Sequence, residues 1–121
     1  MEKKRILVIE DYGNVQKMFK ENLSPYAEVI QAFTLEDAEK EFSDGKFDYI
    51  FIDAELGFQE NKKVQDTTKL VIKMRKTFSG PMIAISCNDT YNGLLRSSGC
   101  DQAVYKGNSL SYAIRLLENA S

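Results

Sequence analysis

The feature that most constrains this chain is a set of short apolar runs, each of which stops at a polar residue. They are ILVI followed by Glu10 and Asp11, YIFI followed by Asp53, and MIAI followed by Ser86. Uninterrupted apolar runs of this length are typical of strands buried on both faces, as in a parallel sheet covered by helices. Because an isolated buried charge is costly, the polar residues indicate where each strand leaves the core.

Apolar residues at helical spacing lie between these runs and predict alternating strands and helices. Two weaker strands are predicted at 27–33 and 103–105, and the predicted helices cover 15–23, 35–42, 70–78, 89–98 and 110–117. Residues 54–66 are polar and aperiodic and predict a loop. Five strands alternating with five helices predict an α/β fold, a five-stranded parallel sheet of order 2-1-3-4-5 with helices on both faces (flavodoxin-like, (βα)5).

Composition narrows the class of protein. The 121 residues fit a single domain, 1–121, and a hydrophobic fraction of 43% supplies a core. A net charge of -2 argues against a nucleic-acid surface, and no apolar run reaches the roughly 18 residues of a membrane helix. We therefore expect a cytoplasmic protein that binds neither nucleic acid nor membrane. Cys87 and Cys100 fall at opposite ends of the predicted sheet and are interpreted as free thiols.

The predicted strand order brings the polar strand ends together. Ligands of such sheets bind beyond the carboxyl ends of the first and third strands, so Glu10, Asp11 and Asp53 should converge there. Three neighbouring carboxylates repel one another, and an all-oxygen site of this kind suits Mg²⁺. Lys106 adds a positive charge at the same edge, and Ser86 adds a hydroxyl. This set suits phosphoryl transfer to an aspartate, with Asp53 as the nucleophile.

Over its whole length the chain resembles the receiver domain of bacterial response regulators. The residues that carry the resemblance are Glu10 and Asp11 after the first strand, Asp53 after the third, Ser86 after the fourth, Lys106 after the fifth, and Gly99 in the turn before the fifth. The resemblance implies a two-component phosphorelay signalling protein that catalyses only its own phosphorylation and dephosphorylation. Its downstream protein target is unknown.

The resemblance also implies roles for individual residues. Asp53 would accept a phosphoryl group from a sensor histidine kinase or a phosphotransfer protein, since this chain has no histidine of its own. Ser86 would donate to a phosphoryl oxygen and Lys106 would pair with it. The implied magnesium ligands are Glu10, Asp11, Asp53 and the backbone carbonyl of Glu55.

The chain departs from the family pattern in four places. The segment 54–66 is longer than usual by about half a dozen residues and lacks proline, and it is either a tolerated insertion or, at 57–64, a lid or docking element. Gly107 replaces the proline after Lys106, which predicts a trans peptide bond there. Cys87 replaces a very small residue. Ala103 replaces an aromatic residue, while the nearby Tyr105 is interpreted as packing against the last helix.

Two other functions remain open from the sequence. One is a phosphorylation-independent interaction module on the same fold, which the long segment and the changes at positions 103 and 107 favour. The other is a Mg²⁺-dependent phosphohydrolase that forms an aspartyl phosphate, since Asp53-Ala54-Glu55 loosely matches the paired acids of such enzymes.

Overall fold

A computed structural model of the protein describes residues 3–57 and 65–120. Within those ranges, five strands form a parallel sheet and two form a short antiparallel pair. The strands are β1 (Lys4–Ile9), β2 (Ala27–Ala32), β3 (Tyr49–Ile52), β4 (Glu55–Leu56), β5 (Gln65–Asp66), β6 (Met82–Ala84) and β7 (Gln102–Ala103). The parallel sheet has the order β2-β1-β3-β6-β7, which confirms the predicted order 2-1-3-4-5 of the five main strands.

Helices cover both faces of this sheet. They are α1 (Gly13–Leu23), α2 (Leu35–Asp44), α3 (Thr68–Arg75), α4 (Asp89–Ser98) and α5 (Ser109–Ala120), with a 3-10 turn at Lys106–Asn108 before α5. Alternate residues of the central strands point to opposite faces. Leu7 and Ile52 belong to the core under α2, α3 and α4. Ile6 and Phe51 belong to the core under α1 and α5.

Local sequence signals account for several boundaries. Thr34 caps α2, because its Oγ1 accepts a hydrogen bond from the backbone N–H of Asp37 at 3.0 Å. Gly45 follows the end of α2, and its N–H donates to the Glu41 carbonyl. In α4, Leu95 is buried but Leu94 is 48% exposed. Of these two adjacent leucines, only Leu95 therefore contributes to the core.

The prediction that 54–66 is a plain loop was wrong at both of its ends. Glu55 pairs with Asp66 in an antiparallel ladder, and the backbone N–H of Thr67 donates to the Ala54 carbonyl at 3.0 Å. The two ends of the segment therefore form a short antiparallel pair of strands. Periodicity could not reveal two-residue strands. The suggested lid or docking element falls largely on 58–64, which lie outside the described residues.

The fifth predicted strand was displaced along the chain. It was expected at 103–105 but comprises only Gln102 and Ala103. The chain then turns, so that Lys106 begins the 3-10 turn instead of ending a strand. All peptide bonds of the described residues are trans, which confirms the prediction for the bond between Lys106 and Gly107.

Arg75 organises the amino ends of β6 and β7. Its guanidinium donates to the carbonyls of Gly99 at 2.9 Å and of Phe78 and Gly80 at 2.8 Å each, and to the Asp101 carboxylate at 2.7 Å. Gly99 has a φ of 145°, a region that L side chains rarely adopt. One arginine therefore ties the end of α3 to the turns that precede both strands.

Among the described residues, β2 pairs with β1 alone and so forms one edge of the sheet. The Ala32 carbonyl accepts from the backbone N–H of Glu10, so alternation directs the Val29 carbonyl outward. The ammonium of Lys20 donates to that carbonyl at 3.2 Å.

Both cysteines are free thiols, as predicted, with Cys87 exposed and Cys100 buried. No helix in the described part of the chain is both long and apolar enough to cross a membrane.

Candidate functional site

Three carboxylates converge at the carboxyl end of the parallel sheet. Oxygen atoms of Glu10, Asp11 and Asp53 lie within 4.8 Å of one another. The sheet places them there, because the N–H of Glu10 bonds the Ala32 carbonyl at 3.0 Å and the N–H of Asp53 bonds the Ile9 carbonyl at 2.9 Å. The juxtaposition that the sequence predicted is thus present.

Lys106 reaches this cluster from the 3-10 turn. Its Nζ donates to Glu10 Oε1 at 2.9 Å and to Asp53 Oδ2 at 2.9 Å. The Lys106 carbonyl accepts a bond from Ser109 Oγ at 2.7 Å, which fixes the start of the turn to α5. A turn without proline therefore still aims the ammonium at Asp53.

Burial and neighbouring charges shift the pKa values of Glu10 and Lys106. Glu10 is fully buried, and this burial, reinforced by the Asp53 carboxylate, raises its pKa to about 8 even though Lys106 partly offsets the effect. For Lys106, burial favours the neutral form, but the carboxylates of Asp53 and Glu10 outweigh burial and raise the pKa of the ammonium. Near neutral pH, a charged Lys106 thus lies beside a Glu10 carboxyl group that tends to keep its proton.

The donor set fits a hard divalent cation such as Mg²⁺. The cluster offers carboxylate oxygens only, and Mg²⁺ prefers such ligands. Moreover, Glu10 Oε2 is buried and accepts no hydrogen bond from any residue that the structure describes. A buried oxygen of this kind is costly without a partner, and a cation would supply one.

The backbone carbonyl of Glu55, which the family resemblance implied as a magnesium ligand, points from the edge of β4 that is turned away from β5. The Ala54 carbonyl faces β5, where it accepts from Thr67, so alternation directs the Glu55 carbonyl to the opposite edge of β4. From that same edge, Gly57 donates its N–H to Asp11 Oδ2 at 3.0 Å. The Glu55 carbonyl is therefore placed on the edge that faces Asp11.

Ser86 lies beside Asp53 at the same end of the sheet. The N–H of Ile85, the residue before Ser86, donates to the Ile52 carbonyl at 3.0 Å. The two strand ends therefore run side by side up to Ser86 and Asp53. Ser86 is buried, and its Oγ accepts a hydrogen bond from the N–H of Asn88 at 3.1 Å.

Three buried polar residues around the site were not identified from the sequence. Gln16 donates from Nε2 to the carbonyls of Val8, Glu10 and Ala32. Thr67 donates from Oγ1 to the Asp53 carbonyl at 2.7 Å. Asn92 bonds both the backbone N–H and the backbone carbonyl of Ser86. Each lies in or just before a helix, where a polar residue is ordinarily assigned to a cap or an exposed face.

The remaining departures from the family pattern also have a structural outcome. Cys87 is exposed next to Ser86, and Ala103 is half-buried in β7. Tyr105 is 54% exposed, and its ring lies so close to Gly107 that a Cβ there would be 3.2 Å from Cε1. The interpretation that Tyr105 packs against the last helix stays a prediction.

Several solved structures with the same fold are response regulators. A two-component response regulator from Clostridium difficile is 20% identical, with a TM-score of 0.79 and 97% of each chain covered. A CheY-like receiver domain from Methylobacillus flagellatus is also 20% identical, with a TM-score of 0.79 and coverage of 99% of this chain and 100% of the other. The regulator TrrA from Thermotoga maritima, solved in complex with Mg²⁺-BeF, is 26% identical, with a TM-score of 0.75 and coverage of 94% and 98%.

Neither family models nor curated protein sequences match the chain. The likeness is therefore one of structure, and it extends over nearly the whole chain. The protein has the fold of a response regulator receiver domain, and the resemblance identified from the sequence is confirmed at the level of the fold.

Proposed function

We propose that this protein is a phosphoacceptor receiver of a two-component system, in which Asp53 takes a phosphoryl group from a partner. The observation that carries the proposal is the Lys106 ammonium, 2.9 Å from both Asp53 Oδ2 and Glu10 Oε1 at the edge where Asp11 joins them. Such a cluster is electrostatically costly, and the phosphoryl-transfer reaction needs this combination of charges.

In the proposed reaction an Asp53 carboxylate oxygen attacks the phosphorus of a phosphohistidine on a histidine kinase or phosphotransfer protein. The new O–P bond forms as the P–N bond breaks, and the departing imidazole nitrogen keeps the electron pair and takes up a proton. Lys106 stabilises the charge on the phosphoryl oxygens, and the Ser86 hydroxyl donates a hydrogen bond to one of them. In the dephosphorylation step, water attacks the phosphorus of the acyl phosphate. The bond between phosphorus and the Asp53 oxygen breaks, and inorganic phosphate leaves.

Mg²⁺, held by Glu10, Asp11, Asp53 and the Glu55 carbonyl, would supply further neutralisation of phosphoryl charge. The chain would catalyse only its own phosphorylation and dephosphorylation. The phosphorylated form would then bind a downstream protein differently or pass the phosphoryl group on. Because the chain has no histidine, the donor must be another molecule.

Intact mass spectrometry tests the proposal directly. The protein is incubated with acetyl phosphate, with and without Mg²⁺, as wild type and as Asp53→Asn. We expect one phosphoryl adduct that requires Mg²⁺ and is absent from Asp53→Asn. Asp44→Asn, on an exposed position at the end of α2, is the matched control and should be modified like the wild type. An adduct that persists in Asp53→Asn would contradict the assignment of the phosphoacceptor.

One observation favours the phosphorylation-independent module as the second candidate. Lys106 already pairs with both Glu10 and Asp53, so the cluster has a positive partner without a cation. If that candidate is correct, the folded wild type will show neither Mg²⁺ binding by titration calorimetry nor an adduct. Steady release of phosphate from a small ester would instead support the phosphohydrolase.

A further inference from the structure

We propose that Asn92 is a positioning residue that fixes the backbone of Ser86 and thereby sets where its hydroxyl can reach. This inference rests on the proposed function. Asn92 lies in α4 and is only 6% exposed. Its Oδ1 accepts from the N–H of Ser86 at 2.9 Å, and its Nδ2 donates to the Ser86 carbonyl at 3.0 Å. A single side chain thus occupies both backbone polar groups of Ser86.

The position of Ser86 explains why such a partner is needed. The pairing of β6 with β3 ends as the N–H of Ile85 bonds the Ile52 carbonyl. Ser86 is 4% exposed, so its backbone N–H and carbonyl must find partners other than water. Asn92 acts there in place of a neighbouring strand. It ties the residue after β6 to the beginning of α4.

The double hydrogen bond restricts how the hydroxyl can move. Ser86 Oγ accepts from the N–H of Asn88 at 3.1 Å. With the backbone of Ser86 fixed, the hydroxyl can change partners mainly by rotating about the Cα–Cβ bond among three staggered positions. Reaching a phosphoryl group on Asp53 then becomes a choice of rotamer, and no displacement of the strand end is required.

Asparagine has the chemistry that this contact requires. A carboxamide presents an acceptor and a donor side by side, which matches one backbone N–H and one carbonyl. Aspartate would keep the acceptor but lose the donor, and alanine would lose both. Asn92→Asp and Asn92→Ala therefore form a graded series at one buried position.

A double-mutant cycle measures the coupling between Asn92 and Ser86. The proteins are the wild type, Asn92→Ala, Ser86→Ala and the double variant, and the measured quantity is the initial rate of adduct formation with acetyl phosphate and Mg²⁺. We expect Asn92→Ala to slow the reaction roughly ten-fold, because misplacing a reacting group has effects of this size or more. In the Ser86→Ala background, Asn92→Ala should cause no further loss.

Two additional variants keep the test decisive. Thr90→Ala, on the exposed first turn of α4, is the matched control and should react like the wild type. Asn92→Asp should give an intermediate rate. If urea unfolding shows that Asn92→Ala is not folded, Asn92→Asp takes its place in the cycle.

Each outcome decides the inference. An unchanged rate in Asn92→Ala overturns it, as do losses that multiply in the double variant, because a merely structural role would act equally in both backgrounds. Absence of any adduct on the wild type overturns the proposed function itself, and the positioning role with it. A wild-type adduct together with an unaffected Asn92 variant overturns only the inference about Asn92.

Discussion

The two ends of the parallel sheet satisfy their polar groups in opposite ways. At the amino end, the guanidinium of Arg75 donates to three carbonyls and one carboxylate, and its side chain is 24% exposed. At the carboxyl end, Glu10, Asp11 and Asp53 lie close together, and the Lys106 ammonium donates to Glu10 and Asp53. One buried oxygen of Glu10 accepts no bond from the described residues.

This difference separates an end of the sheet that stabilises the fold from the end that the proposed function would use. The amino end has a cation whose partners fit it, and it holds the turns before β6 and β7 in place. The carboxyl end holds three carboxyl groups close together, which raises the free energy of the folded state. Substitutions at the two ends should therefore have different consequences, and four of them sharpen the contrast.

The largest loss of stability is expected at the amino end. Arg75→Met removes the donor to the carbonyls of Gly99, Phe78 and Gly80, and each lost bond costs about 1 kcal/mol, for a total of about 4 kcal/mol with the Asp101 contact. Urea unfolding measures this loss. Arg96→Met, on an exposed position of α4, is the matched control and should change the free energy of unfolding by less than about 0.5 kcal/mol. Equal effects of the two substitutions would contradict the role of Arg75.

The second expected effect is at Lys106 and depends on pH. Lys106→Met leaves Glu10 and Asp53 without their shared ammonium, which should cost about 3 kcal/mol at pH 8. The cost should be smaller at pH 5, because Glu10, whose pKa is raised to about 8, is then fully protonated and does not need the ammonium as a partner. Lys17→Met, whose side chain is 72% exposed, is the control. A loss that is the same at both pH values would show that charge is not its cause.

The third expected effect concerns Glu10 in the presence of a chelator. Its pKa in the folded protein is raised to about 8 from 4.5, mainly by burial, so the folded state holds a proton that the unfolded chain releases. The resulting stabilisation is complete below pH 4.5 and is lost as the pH rises to about 8, with a slope on the order of 1 kcal/mol per pH unit.

Glu10→Gln should flatten this slope in urea-unfolding series from pH 5 to pH 8. Glu21→Gln, at an exposed position of α1, should retain the wild-type slope. Parallel curves for Glu10→Gln and the wild type would refute the assignment of the proton to Glu10.

The smallest expected effect returns to the amino end. Gly99→Ala should cost about 1 kcal/mol, because φ is 145° and a Cβ would lie 3.3 Å from Arg75 Cβ and from Val71 Cγ1. Gly93→Ala, within α4 and with nothing near its Cβ position, should instead stabilise the protein by roughly 0.5 kcal/mol. Thermal unfolding of both variants distinguishes the two signs.

The sequence predicted the sheet well because burial on both faces leaves a strong pattern. The apolar runs at 6–9, 49–52 and 82–85 form the three central strands. Their polar ends lie together at the carboxyl end of the sheet, as expected. Lys106 was also expected at that edge, and its ammonium reaches Asp53 although its turn lacks proline. Whether these residues perform the roles implied by the family remains a prediction.

The parts that sequence reasoning missed depend on contacts between distant residues. The β4–β5 pair is too short for a periodic signal, and β7 ends earlier than its apolar residues indicated. Asn92 and Thr67 are polar residues in or beside helices, and only the folded chain shows that they bond the backbones of Ser86 and Asp53. Such residues are visible only when the tertiary neighbours are known.

The contact between Lys20 and the outer carbonyl of Val29 has a consequence for the behaviour of the protein at high concentration. An edge strand with unpaired backbone groups is a template on which another chain can add a strand and begin to aggregate. An ammonium bonded to the β2 edge occupies one of those groups and places a positive charge where a second strand would have to approach. The β2 edge of the sheet therefore resists edge-to-edge association with another chain, and this protection lies away from the carboxylate cluster.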